Sequence, residues 1–118
     1  MCQNEDWGYG MLNEIMEKCD AMNVYEKRTV SDNYYELVFF SKELDEWEQF
    51  FTDKLGNVSK PSNVKPTKED LSLTEGYGGI CANQTLFKKE CDDDTIIAMF
   101  WPWQDNIHVT LKVALIGK

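Results

Sequence analysis

The stretch Thr95–Ile116, TIIAMFWPWQDNIHVTLKVALI, constrains the fold more than any other part of the chain. From residue 107 onward, Ile107, Val109, Leu111, Val113 and Leu115 alternate with His108, Thr110 and Lys112. Successive side chains of a strand point to opposite faces, so this segment reads as a strand with one buried and one wetter side. Its neighbour Thr95–Trp101 is apolar on both sides, with Ile97, Met99 and Trp101 against Ile96, Ala98 and Phe100. That is the pattern of a central strand covered twice. A tight connection between the two makes them the hub of a sheet.

The remaining elements arrange themselves around that hub. Leu12, Ile15, Met16, Cys19 and Met22 recur at helical spacing and predict a helix over Met11–Met22, with Trp7 and Tyr9 ahead of it. Val24–Val30 and Tyr34–Phe40 read as two strands, turned by Ser31-Asp32-Asn33, whose Asp and Asn tolerate left-handed backbone. Glu26, Lys27 and Arg28 mark the first of them as an edge strand, where charge discourages foreign pairing. A second helix follows from the stripe Leu44, Trp47, Phe51 and Leu55, with Ser41 as N-cap, acids Glu43, Asp45 and Glu46 in its first turns, and Gly56 as its stop.

Between Asn57 and Gly79 the texture changes to Pro61, Pro66 and the glycines 76, 78 and 79, a long connection. Thr67 and Asp70 form a capping pair, so Lys68–Leu73 reads as a brief helical turn. The GYGG at 76–79 lacks the Lys-Ser/Thr of a phosphate loop and the spacing of a dinucleotide loop, so it reads as a flexible lead into the next strand. That strand spans Ile80–Glu90 and turns through Cys91-Asp92-Asp93-Asp94 into the hub. The expected architecture is a single domain over residues 1–118, class α+β. It is a two-layer sandwich, with a mostly antiparallel five-stranded sheet and two helices packed on one face, in the order α-β-β-α-long loop-β-β-β.

Composition narrows the function classes. Hydrophobic residues make up 42% and aromatics 13%, enough for a packed core. No apolar run approaches the ~20 residues of a membrane helix, and MCQNEDWGYG has no basic or apolar leader region, so a cytoplasmic protein without a membrane partner is expected. The formal charge is −9: residues 1–79 hold 16 acids and 8 bases, residues 80–118 hold 5 acids and 4 bases. Such a surface repels a phosphate backbone, so no nucleic-acid partner is expected; a protein imitating nucleic acid with its carboxylates is the exception.

Few residues point to chemistry. Cys2, Cys19, Cys81 and Cys91 contain no CxxC pairing, and Glu90–Asp94 lacks the alternating ligands of a calcium loop, so no metal and no cofactor are expected. Cys81 and Cys91 share a face if their strand is regular. His108 is the only histidine, which rules out a two-histidine metal site and makes it the first candidate for a polar contact or a general acid or base. Thr110 and Lys112 project with it, and either Asn83 and Thr85 together or Gln84 is expected to join from another strand. Trp101 and Trp103 flank Pro102 at a strand end and are too many large rings there for one small core to hide; Tyr77 lies elsewhere, in the 57–79 connection.

The expected site is therefore Trp101, Trp103, His108 and Tyr77, at the Trp-rich strand end and the 57–79 loop. The expected function is a non-enzymatic binding module for a small apolar or aromatic ligand or for a second copy of the chain, as a homodimer. The alternatives are a small enzyme using His108 as general acid or base, with Cys81 or a carboxylate, and an acidic decoy for a nucleic-acid-binding protein.

Overall fold

The structure, a computed structural model, describes residues 7–91 and 94–117. Its elements in chain order are α1 (Trp7–Asp20), β1 (Glu26–Val30), β2 (Tyr34–Phe40), α2 (Leu44–Leu55), α3 (Lys68–Thr74), β3 (Thr85–Cys91), β4 (Asp94–Pro102) and β5 (His108–Gly117). The strands form one sheet in the order β1-β2-β5-β4-β3, antiparallel throughout. The expected α+β sandwich and its element order are therefore present, with the hub pair β4–β5 inside the sheet. Among the described residues, no helix is long and apolar enough to cross a membrane. Cys2, Asp92 and Asp93 lie outside the described residues.

Both α1 and α2 pack on the same sheet face, as their stripes require. Leu12, Ile15 and Cys19 from α1 and Trp47, Phe51 and Leu55 from α2 are buried there against the odd-numbered residues of β2 and β5. Phe100 of β4 is the pivot of this core. Phe39, Phe51 and Phe87 surround it with ring centroids 5.5, 5.8 and 5.6 Å away, and Phe39 stacks on Trp47 at 4.7 Å. Edge-on aromatic packing of this kind adds to the large apolar area each ring buries. Burial also pushes the Cys19 thiol up to about 12, which makes it an inert core residue.

The opposite face is covered only in part. Ile80, Leu86, Ile97, Met99 and Ala114 form a second, smaller core beneath the 57–84 connection, with Leu73 and Tyr77 packed against it. So β4 is covered on both sides, as its double apolar pattern predicts. A capping box closes the start of α3, with Asp70 and Thr67 exchanging backbone and side-chain hydrogen bonds as the sequence foretells. Lys60 anchors the connection. It is 2% exposed, and its ammonium donates to the carbonyls of Pro61, Ala82 and Gln84 at 2.9, 2.9 and 2.5 Å. Those three acceptors match the three protons of an ammonium, which makes burial of the charge tolerable. The backbone of Lys60 also pairs with Leu86, so the connection closes part of the β3 edge. At the other edge, β1 is exposed along its length and carries an irregularity between Lys27 and Thr29; charge and a bulge protect it from foreign strands.

Several boundaries differ from expectation for local reasons. Helix α1 starts at Trp7 rather than Met11 and ends at Asp20 rather than Met22, so Trp7 and Tyr9 lie within it. Gly8 and Gly10 obscure the helical pattern, and Gly8 lets the helix come close to the sheet: a Cβ there would sit 2.7 Å from the side-chain ends Asp94 Oδ2 and Leu115 Cδ1, which would have to move aside. Strand β1 begins at Glu26 instead of Val24. Ser41 does not cap α2. It opens a 3₁₀ turn, Ser41–Glu43, and its hydroxyl donates to the Asn106 carbonyl at 2.8 Å. Strand β3 begins at Thr85 instead of Ile80, because residues 81–84 form a turn in which Gln84 accepts from the Cys81 amide and donates back to the Cys81 carbonyl. The shared face of Cys81 and Cys91 falls with it. Ile107 is 53% exposed, not buried, because Asn106 turns left-handed (φ 61°) and the alternation takes hold only from β5.

Candidate functional site

Strand register assigns the site. Tyr34, Glu36, Val38 and Phe40 of β2 lie opposite Ala114, Lys112, Thr110 and His108 of β5, all on the face away from α1 and α2. Strand β4 adds Met99 and Trp101 opposite Lys112 and Thr110. Trp103 follows two residues on, its amide donating to the His108 carbonyl at 2.9 Å. The 57–84 connection covers the β3–β4 half of this face and reaches Tyr34 and Lys112 through Tyr77; on the β1–β2–β5 half Val38 and Thr110 are buried, and Tyr34, Glu36, Phe40, His108 and Lys112 are half-buried.

The four candidate residues lie along one band on this face. At one end Tyr77 stacks on Tyr34, with ring centroids 5.6 Å apart and 16° between planes. Beside them the Lys112 ammonium stands 3.4 Å above the Trp101 ring and donates to the Tyr77 carbonyl at 3.1 Å. At the other end the Trp103 indole N–H donates to Thr110 Oγ1 at 2.7 Å, and its ring meets His108 at 4.7 Å. Tyr25 and Phe40 complete the ring around His108, at 4.6 and 5.6 Å. The Arg28 guanidinium lies 5.4 Å from the Trp103 ring. Trp101 with Tyr77 and Trp103 with His108 are thus two clusters, joined along β5 by Thr110 and Lys112.

A row of charges crosses the same face. Arg28 Nε reaches Glu26 at 3.4 Å, Arg28 Nη1 reaches Glu36 at 3.8 Å, and Glu36 lies opposite Lys112. Glu36 also accepts from the Tyr34 hydroxyl at 2.5 Å; burial, then that bond, raises the Tyr34 phenol above its ordinary value. Burial lowers the Lys112 ammonium from its ordinary value, and Glu36 opposes the shift. In the β4–β5 turn the Asp105 carboxylate accepts from the Ile107 and His108 amides and meets His108 Nδ1 at 2.6 Å. The Ile107 amide, followed by the His108 ring, holds the Asp105 carboxyl below its ordinary range.

The GYGG segment acquires a definite role here. Gly78 has φ +96°, and a Cβ on it would stand 2.6 Å from Trp101 Cη2 and 3.2 Å from Lys112 Nζ. The backbone is pressed onto the Trp101 ring, so neither a phosphate loop nor a flexible lead describes it. The Trp101 indole N–H is buried without an acceptor among the described residues.

Other expected contributors fall elsewhere. Asn83 and Gln84 lie in the turn before β3, and Thr85 pairs with Phe100 on the helix side. The Ser41 hydroxyl is bonded to Asn106, Cys81 sits in the 81–84 turn, and the rings around His108 are Tyr25, Phe40 and Trp103 rather than a thiol. Among the described residues, no group of three or more His, Cys, Asp and Glu side chains is placed to hold a metal ion. Two open clefts lie beside the band rather than in it. One of about 370 Å³ is lined by Phe40, Ser41, Lys42, Asn106 and Ile107. The other, about 510 Å³, lies between α1 and the end of β1, with Tyr9, Met16 and Val30 in its walls.

Sequence reasoning missed Tyr25, Arg28, Tyr34, Glu36 and Phe40. Their parity is legible, but only the β2–β5 adjacency puts them beside Trp103 and His108. No protein-family model, curated protein or solved structure matches this chain.

Proposed function

We propose that this protein is a non-enzymatic binding module whose open sheet face docks another protein. The carrying observation is the pre-assembled band of Trp101, Trp103, Tyr77, Tyr34 and His108 with Arg28 and Lys112 on its rings. Trp, Tyr and Arg dominate the energetics of protein interfaces: Trp and Tyr combine large apolar area with few rotamers to freeze and a polar handle, and Arg adds a planar fork of donors. The rings already rest on one another or under their own cations, which supports a rigid contact surface over a platform for stacking a free aromatic ligand. The clefts include none of Trp101, Trp103, Tyr77 and His108, and only Phe40 and Ile107 of one cleft adjoin the band, which gives less support to the reading as a small apolar or aromatic ligand site.

A benzophenone side chain placed at Ile107, at the end of the band, tests this reading against one placed at Gln49, exposed on α2. Irradiated in the cells that make the protein, position 107 should yield a protein adduct that Trp103→Ala abolishes, and position 49 should not. Equal labelling from both positions, or none from 107, overturns it.

A second reading, a small enzyme using His108, draws support from the Asp105–His108 pair, since a carboxylate at Nδ1 orients the imidazole as in sites where Nε2 does the chemistry. Under that reading His108→Ala costs orders of magnitude in rate, whereas for a binding face it costs at most a few kcal/mol of affinity. The acidic-decoy reading ranks third, because Glu14, Asp20, Glu43 and Asp53 are engaged by Lys54, Lys27, Asn23 and Gln49 within the protein.

A further inference from the structure

We infer that the end of β1 and the cleft beside α1 form a second docking site, which takes an extended peptide segment of another protein, apolar and basic, as a sixth strand. The guard on β1 is uneven. Glu26, Lys27, Arg28 and the irregularity between Lys27 and Thr29 occupy its first part, and Val30, at its end, carries neither charge nor bulge. The Ser31 amide donates to the Tyr34 carbonyl at 2.9 Å, so the next pair along, Val30 with Tyr35, is a non-hydrogen-bonded one. A residue in such a pair turns its N–H and C=O away from its partner strand, and among the described residues no further strand lies outside β1. Val30 thus offers one donor and one acceptor in line for a strand.

The second ground lies beside that backbone. Val30 stands opposite Tyr35 and so projects to the helix side, where it is 53% exposed. Across from it α1 presents Tyr9, Asn13 and Met16, at i, i+4 and i+7 along one stripe, with Tyr9 51% exposed. With Val30, Ser31 and Asp32 they line the cleft of about 510 Å³. Side chains of an added strand alternate between faces, so the one on the helix side beside Val30 enters this cleft. Backbone bonds then hold the segment and the cleft selects its side chain. A small molecule would fill the cleft and leave the Val30 backbone unmet.

Charge chooses the rest of the segment. Among the described residues, Asp32 on the cleft wall and Glu17, one turn after Asn13 on α1, make no ion pair, whereas Lys27 is taken by Asp20 at 2.8 Å. The uncompensated charge around the cleft is therefore negative, as is the formal −9 of the whole chain. A bulky apolar residue flanked by Lys or Arg matches it, and a second copy of this chain would bring the same acids against themselves. The site shares no residue with the aromatic band.

Random octapeptides displayed on phage and panned on the purified full chain test this. Recovered peptides should converge on a bulky apolar residue with Lys or Arg beside it. One of them, made synthetically, should shift the amide resonances of Tyr9, Met16 and Val30, slow exchange of the Val30 amide, and leave the Trp103 indole resonance in place. N-methylating its backbone one residue at a time should weaken binding about tenfold at one position and spare the two neighbours, whose amides face away from β1. Val30→Pro removes the outward donor and none of the β1–β2 bonds, and should also weaken binding about tenfold. If that variant does not fold, the N-methyl series decides with native protein. No convergence among the peptides, shifts that fall on Trp103 and His108 instead, or binding that tolerates N-methylation at every position overturns the added strand. So does a native chain of two-chain mass that Val30→Pro returns to one, because the edge then belongs to a second copy. The adduct from position 107 reports on the band alone, so either site can fail without the other.

Discussion

The two faces of the sheet share strands and differ in what their side chains are asked to do. On the helix side, odd-numbered residues of β2 and β5 meet two amphipathic helices, and the result is a continuous apolar core centred on Phe100. On the other side, even-numbered residues of the same strands meet the 57–84 connection over one half and lie buried or half-buried without a helix packed on them over the other. There the rings are held by cations, hydroxyls and one another instead of by burial. The comparison teaches that the surroundings of an aromatic residue on these strands follow from which face its position takes: Phe39 and Phe100 are buried in the helix-side core, whereas Trp103 and Phe40 are half-buried on the other face.

The largest break in that contrast should come from the helix side. Phe51→Ala removes a fully buried ring that touches Phe87 and Phe100, and should lower the unfolding free energy by about 3–5 kcal/mol in urea titration. Next is the loop-covered half. Lys60→Met leaves the Pro61, Ala82 and Gln84 carbonyls without their donor and should cost about 2–3 kcal/mol, with faster amide exchange confined to residues 57–84. The open half should respond least in stability. Trp103→Ala removes a half-buried ring and one hydrogen bond, about 1–2 kcal/mol, while abolishing the adduct from position 107. Equal losses for Phe51→Ala and Trp103→Ala would erase the distinction between the faces.

The smallest effect sharpens the contrast through pH. Asp105 has its carboxyl depressed by the Ile107 amide and His108, and Asp20 by Lys27 and Tyr35. A depressed carboxyl contributes stability above its unfolded value near ~3.9, and that contribution is lost as pH falls through the lower folded value. Asp105→Asn and Asp20→Asn should each flatten the acid limb of the urea midpoint between about pH 4 and 2. Only Asp20→Asn should also loosen the α1–β1 junction, because its carboxylate joins Lys27 and Tyr35.

Much of this was legible in the residues. The double apolar pattern of Ile96–Trp101 announced a strand covered on both sides, and Thr67 with Asp70 announced the capped start of α3. The stripe Trp47, Phe51, Leu55 gave the buried face of α2. What stayed hidden depended on contacts distant in sequence. Ser41 has every attribute of an N-cap, yet Asn106, 65 residues away, claims its hydroxyl. Gly78 looks like a hinge until Trp101 is placed against it. Arg28 and Glu36 look like ordinary surface charges until β5 lines up beside β2 and turns them into a row with Lys112. Periodicity reports which way a side chain points, and only topology reports what it points at.

The sheet order carries a consequence for how the chain is made. Strand β5, the last of the described elements, lies at the centre of the sheet between β2 and β4. On the ribosome, β1 with β2 and β3 with β4 emerge as two hairpins with no strand to join them. Each exposes an inner edge and half of an apolar face until residues 108–117 leave the tunnel. Folding of this domain is therefore closed by its final strand, and a nascent chain arrested before His108 is two halves in search of a seam.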